Sequence, residues 1–159
     1  MGYSHYWYRP QGHDDRAMFQ RLGTDARRII ATAKEHEGID VAGWDGNGSP
    51  EFTEIDFRMN GRTPEKCETF VWESRAIHPE WETDHTRPVF GCVKTRQHPY
   101  DAVVCAILIR AKVIYGDSVR LSSDGEWSHE WVPGRTLYLA TFDELAPCPF
   151  GADHLIGGE

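Results

Sequence analysis

The sequence predicts an α+β fold in which two helices pack on one face of a mostly antiparallel or mixed sheet. Three observations carry that expectation. Residues 14–37 repeat apolar side chains at helical spacing, and residues 99–115 are apolar on almost every side. Short aromatic and β-branched runs lie between clusters of turn formers. The order strand, helix, three strands, helix, two strands leaves the helices free to share one side of a sheet. With 159 residues, 40% of them hydrophobic and 26% charged, the chain fits one domain over 1–159 with a core of its own.

Residues 3–8 are rich in aromatics, stop at Pro10, and read as the first strand. The helix at 14–37 places Met18, Leu22, Ala26, Ile29, Ile30 and Ala33 on one stripe. His13, Asp14 and Asp15 give it an acidic first turn, and Gly38 a left-handed stop. Gly23 is its weak point. Residues 39–42 form a short strand before the turn-rich stretch 43–50. A strand is expected over 52–59, ending at Asn60-Gly61, and another over 69–72. Residues 74–90 are polar, carry Pro79 and Pro88, and read as a long loop of the kind that often has a function. In the second helix Pro99 suits the first position and Gly116 the end. Strands at 119–122 and 126–132 flank the turn Asp124-Gly125. Residues 136–145 fit either period, and the Pro- and Gly-containing tail 146–159 is expected to be irregular.

Charge narrows the partners. The formal net charge is −8, with the excess concentrated in the middle of the chain. No basic stripe is present to displace counterions, so duplex nucleic acid is not an expected partner. The longest apolar run, 102–109, is too short to span a bilayer, and no secretory or myristoylation pattern opens the sequence. Cys67, Cys92, Cys105 and Cys148 show no CxxC pair and suit free thiols in a reducing cytoplasm. His78, His85 and His98 lack metal-ligand spacing, so neither a metal nor another cofactor is expected.

The most suggestive stretch is Lys94-Thr95-Arg96-Gln97-His98-Pro99-Tyr100-Asp101, which runs into the buried helix. A helix N-terminus offers unpaired N–H groups and a positive dipole end, so Lys94 and Thr95 are expected to hold a phosphate or carboxylate there. Ordinary capping is the competing use of the same residues. Trp7 and Tyr100 are candidates for stacking a ring. Asp45, in a turn that resembles the opening of an EF-hand loop without its closing glutamate, is a candidate for binding a hydroxyl, as are Asn60 and Asp124. His5, Glu68 and Asp101 are the candidate acid–base set, His5 needing an orienting carboxylate. Packing within an aromatic strand is the plainer role for His5. P-loop, GxSxG, HExxH, GxGxxG and Cys-His signatures are all absent, so no motif assigns a reaction.

Several short polar motifs carry a resemblance: Met1-Gly2-Tyr3-Ser4-His5-Tyr6-Trp7, Asp45-Gly46-x-Gly48-x-Pro50, Asn60-Gly61, Glu68-Thr69-Phe70, Lys94-Thr95 followed by Pro99-Tyr100-Asp101, and Ser123-Asp124-Gly125. Together the sequence resembles a family of small bacteriophage-encoded proteins. The resemblance implies expression in the cytoplasm of an infected bacterium and brings no catalytic role. The first functional expectation is a polar pocket that binds, and in one version hydrolyses, a nucleotide-like phosphorylated small molecule, for instance a host defence signal. The alternatives are an acidic protein that binds and inhibits a host protein through the acidic middle, the loop 74–90 and the tail, or a minor virion component.

Overall fold

The first strand lies at the centre of a sheet whose other strands come from the far half of the chain. In a computed structural model that describes residues 2–12 and 15–151, β1 (Ser4–Arg9) pairs antiparallel with β5 (Val89–Lys94) on one side and β6 (Arg120–Ser123) on the other. The expected acidic turn at His13-Asp14 and the tail beyond residue 151 fall outside the described residues. Burial along β1 alternates with period two: His5, Trp7 and Arg9 face inward, while Ser4, Tyr6 and Tyr8 face outward.

A second antiparallel sheet contains β2 (Glu51–Phe52), β3 (Asp56–Met59) and β4 (Phe70–Glu73). All named pairings are antiparallel, and β1 and β2 lie in different sheets, so the first helix is not a parallel crossover. The single strand expected over 52–59 is instead a tight hairpin. The Thr53 hydroxyl accepts from the Ile55 and Asp56 N–H groups, and this local turn outcompetes an extended ladder. Residues 39–42 contribute only the bridge Ala42–Asn60.

Strand β5 was not expected. Gly91 at its centre weakens the strand signal, yet the fold requires a glycine there. The Trp7 indole crosses the strand so closely that a Cβ on Gly91 would lie 2.2 Å from Trp7 Nε1. The two sheets meet at this edge, where the Glu68 N–H donates to the Lys94 carbonyl at 3.0 Å and the Lys94 N–H to Glu68 Oε2 at 2.8 Å.

Helix α1 (Arg16–Thr32) is capped by Asp15, which accepts from the Met18 N–H, and runs unbroken through Gly23. It continues as a π-helical turn, Ala33–Glu37, and stops at Gly38 with φ 67°. Helix α2 (Asp101–Tyr115) is buried on nearly every side, as its composition predicts. Turns over 127–131 replace the strand expected at 126–132, and a third helix, α3 (Val132–Phe142), resolves the ambiguous stretch after it. Pro133 in its first turn favours helix, and buried Trp131 anchors its start. Gly134 lets α3 approach α2, since a Cβ there would come within 2.4 Å of Cys105 Cβ. The fold is thus α+β with three helices, α2 lying between the inward face of β1 and the helices α1 and α3.

Candidate functional site

The inward residue nearest the start of β1, His5, meets the first turn of α2. Its Nε2 lies 2.6 Å from Asp101 Oδ1 and 3.5 Å from Cys105 Sγ. Thr95 donates its hydroxyl to the same Asp101 Oδ1 at 2.6 Å. On the other side His5 Nδ1 is 2.8 Å from Ser123 Oγ. Ser123 Oγ already accepts from Trp131 Nε1–H at 3.0 Å and Gly125 N–H at 2.9 Å. Both lone pairs are then used, so the Ser123 proton points at Nδ1 and His5 donates from Nε2 to Asp101. The carboxylate sits at the N-terminal end of α2, where the helix dipole favours negative charge. His5, Thr95 and Cys105 are fully buried, and Asp101 nearly so.

Burial, reinforced by the neighbouring Asp101, pushes the Cys105 thiol well above its ordinary value. In this arrangement the sulfur is a protonated, inert thiol rather than a nucleophile. The cluster therefore clips β1, β6, the 95–98 turn and α2 together. Arg96 and Gln97 hold left-handed φ values of 54° and 57° to make that turn, a local cost the Thr95–Asp101 bond helps offset.

The structure thus brings His5, Thr95 and Asp101 together, but they fill space instead of lining a hollow. The anion expected at the start of α2 finds no amide waiting for it. The N–H groups of Asp101, Ala102, Val103 and Val104 bond the carbonyls of His98, Pro99 and Tyr100. A hollow of about 280 Å³ does open there, lined by Arg62, Asp40, Gly61, Pro99 and Tyr100 among others, but not by Lys94, Thr95 or His5.

The remaining candidates separate into four places. Glu68, Lys94 and Tyr100 form one group: Tyr100 donates its hydroxyl to the Glu68 carbonyl at 2.7 Å, and the exposed Glu68 side chain caps the Lys94 N–H. No hydrogen bond links Glu68 to His5 among the described residues. Asn60 is buried and saturated, donating to the Trp44 and Cys67 carbonyls and accepting from the Gly61 and Cys67 N–H groups. Asp45 is exposed; its side chain accepts from the Asn47 N–H and its carbonyl from Lys66 Nζ. Asp124 accepts from the Ser4 N–H at 2.9 Å and the Tyr6 hydroxyl, fastening the start of β1. Trp7 packs against Phe70 and Trp72.

The outward face of β1 presents a different chemistry. Two adjoining cavities of about 520 and 380 Å³ share Tyr8, Arg87, Pro88 and Arg120. Phe90 and Trp81 line the larger one, 52% and 78% exposed. The Tyr8 and Phe90 rings lie 5.4 Å apart, and the Arg120 guanidinium sits 4.9 Å from the Tyr8 centroid. Arg120 has no carboxylate partner among the described residues, while Arg87 reaches Asp84 at 3.2 Å. Arg9 lines the smaller cavity from beneath. Its guanidinium stacks on Trp72, donates from Nη1 to the Glu73 carbonyl at 2.7 Å, and leaves Nη2 without a hydrogen-bond partner. Burial pulls Arg9 below its ordinary value.

Sequence reasoning flagged the loop 74–90 but did not select Trp81, Arg87 and Phe90 within it. Tyr8 and Arg120 carry no local signal, since only the β1–β6 register brings them together. Comparison with protein-family models, with curated proteins and with solved structures finds no match to this chain.

Proposed function

We propose that the protein binds a small anionic, ring-bearing molecule of the nucleotide class in the groove formed by Tyr8, Trp81, Arg87, Phe90 and Arg120. One observation carries this reading: two arginines and three aromatic rings share a single groove on a protein of net charge −8. Exposed ring faces stack a heterocycle, and guanidinium forks match phosphate oxygens. Arg120 is the better phosphate partner, because no carboxylate competes for it. The buried Arg9 charge beneath adds positive potential.

Binding rather than turnover is the role the groove supports. His78 and His85 also line these cavities, but their Nε2 atoms bond the Arg87 and Glu82 carbonyls, so they order the loop. The resemblance to bacteriophage-encoded proteins fits sequestration of such a ligand in a bacterial cytoplasm.

Calorimetry and tryptophan fluorescence against nucleoside mono-, di- and triphosphates and cyclic nucleotides test the proposal. Binding should weaken with salt and fall at least tenfold, about 1.4 kcal/mol, in Arg87→Glu/Arg120→Glu. Silence across the panel, or undiminished binding by the double variant, would end this reading. The exposure of Trp81 and Phe90 favours a second reading, an inhibitory contact with a host protein through the same rim. A stoichiometric partner lost on Trp81→Ala but kept by the arginine variant would point there.

A further inference from the structure

We propose that His5, Asp101 and Cys105 form a buried site for one divalent ion of the zinc class. This inference is independent of the groove. Asp101 and Cys105 stand one turn apart on the same face of α2, and His5 reaches them from β1. Their donor atoms all lie within 4.8 Å of one another.

The distances at the sulfur suit a metal set as well as a thiol hydrogen bond. Cys105 Sγ is 3.5 Å from His5 Nε2 and 3.6 Å from Asp101 Oδ2. A tetrahedral ion with a Zn–S bond of about 2.3 Å and Zn–N or Zn–O bonds of about 2.0 Å generates edges of roughly 3.5 Å between sulfur and its neighbours. The two carboxylate oxygens also divide their work. Oδ1 takes both Thr95 and His5, whereas among the described residues the one hydrogen bond to Oδ2 is the long one from the Cys105 thiol. Oδ2 is therefore the oxygen available to ligate, with Thr95 holding Oδ1 in place as an outer partner.

Loading proceeds without redox change. Lone pairs on Nε2, Sγ and Oδ2 form the metal bonds, the Cys105 S–H bond breaks, and its proton leaves to solvent. Thiolate and carboxylate together cancel the two charges of the ion, which suits a low-dielectric interior. Because the donors are buried, the ion enters as the chain folds.

The test is to refold the full chain with excess Co²⁺ or Zn²⁺, desalt it, and measure metal content, thiolate-to-cobalt absorption and melting temperature. The expected result is one equivalent per chain, a near-ultraviolet cobalt–thiolate band, and a melting temperature that falls when a chelator is present during refolding. Cys105→Ser should lose the band and bind at least tenfold more weakly, with native circular dichroism as the control for folding. His5→Gln should do the same. Wild-type protein that retains no metal above background, or Cys105→Ser that keeps a full equivalent, overturns the site. Since the wild-type measurement needs no variant to fold, the proposal stays open to refutation in either case.

Discussion

Arg110 on α2 donates from Nε to Asp25 on α1 at 2.7 Å, and the same guanidinium reaches the Tyr138 hydroxyl on α3 at 3.0 Å. One side chain thus ties all three helices. Both ion-pair partners are largely buried, so removing Arg110 leaves the Asp25 carboxylate in the interior with only a longer contact to the exposed Arg28 at 3.8 Å among the described residues. Arg110→Ala should cost about 3–5 kcal/mol in urea unfolding. The double replacement Asp25→Leu/Arg110→Met should cost far less, because it leaves no charge behind.

Gly91→Ala should destabilise the protein by about 1–3 kcal/mol in thermal denaturation, since the added methyl enters the Trp7 indole. Trp7→Ala should remove most of that penalty when the two changes are combined. Strict additivity of the two costs would show that the contact is not what excludes a side chain at 91.

The protein should lose stability in alkali from about pH 10 upward. Burial raises the Tyr100 phenol, with Cys67, Asp101 and Glu68 adding to the effect, and raises Tyr3 in the same way, with Asp101, Cys105 and Glu130 adding. The unfolded chain releases these protons near the ordinary phenol value of about 10, while the folded chain keeps them. The unfolded state then binds fewer protons, and stability falls as pH rises. Below that value the contribution is fully present. Phenolate absorbance should show Tyr3 and Tyr100 ionising only together with loss of the native circular dichroism. Their ionisation in the native state would contradict this.

Phe90→Ser should change stability by no more than about 0.5 kcal/mol, because the ring is half exposed. If the groove binds nucleotides, the same variant should weaken them at least tenfold. Chemical denaturation and calorimetry on one preparation separate the two effects.

How much of this was legible in the sequence depends on the range of the interaction. Helix α2 announces itself because its apolar run is local, and Asp15 and Gly38 mark the limits of α1 by chemistry within a few residues. The hairpin at Thr53 was missed because one hydroxyl overrides an alternating pattern. Strand β5 was missed because Gly91 answers to Trp7, a distant residue that propensity does not see. The pairing of His5 with Asp101 was foreseen as a condition for acid–base work, but not the presence of Cys105 and Ser123 around it. Those two arrive through helix phase and through the β1–β6 register. Arg120 beside Tyr8 is legible only once that register is known.

The position of β1 also bears on how the protein is made. His5 finds Ser123 across the sheet, 118 positions later in the chain. Until β5 emerges β1 has no partner on either edge, and until β6 emerges one edge stays open. Folding must therefore wait for most of the chain to be synthesised and then proceed through long-range closure, the slow route for a domain of this size. A nascent chain arrested before residue 120 should stay protease-sensitive throughout, including in the segment that becomes α1.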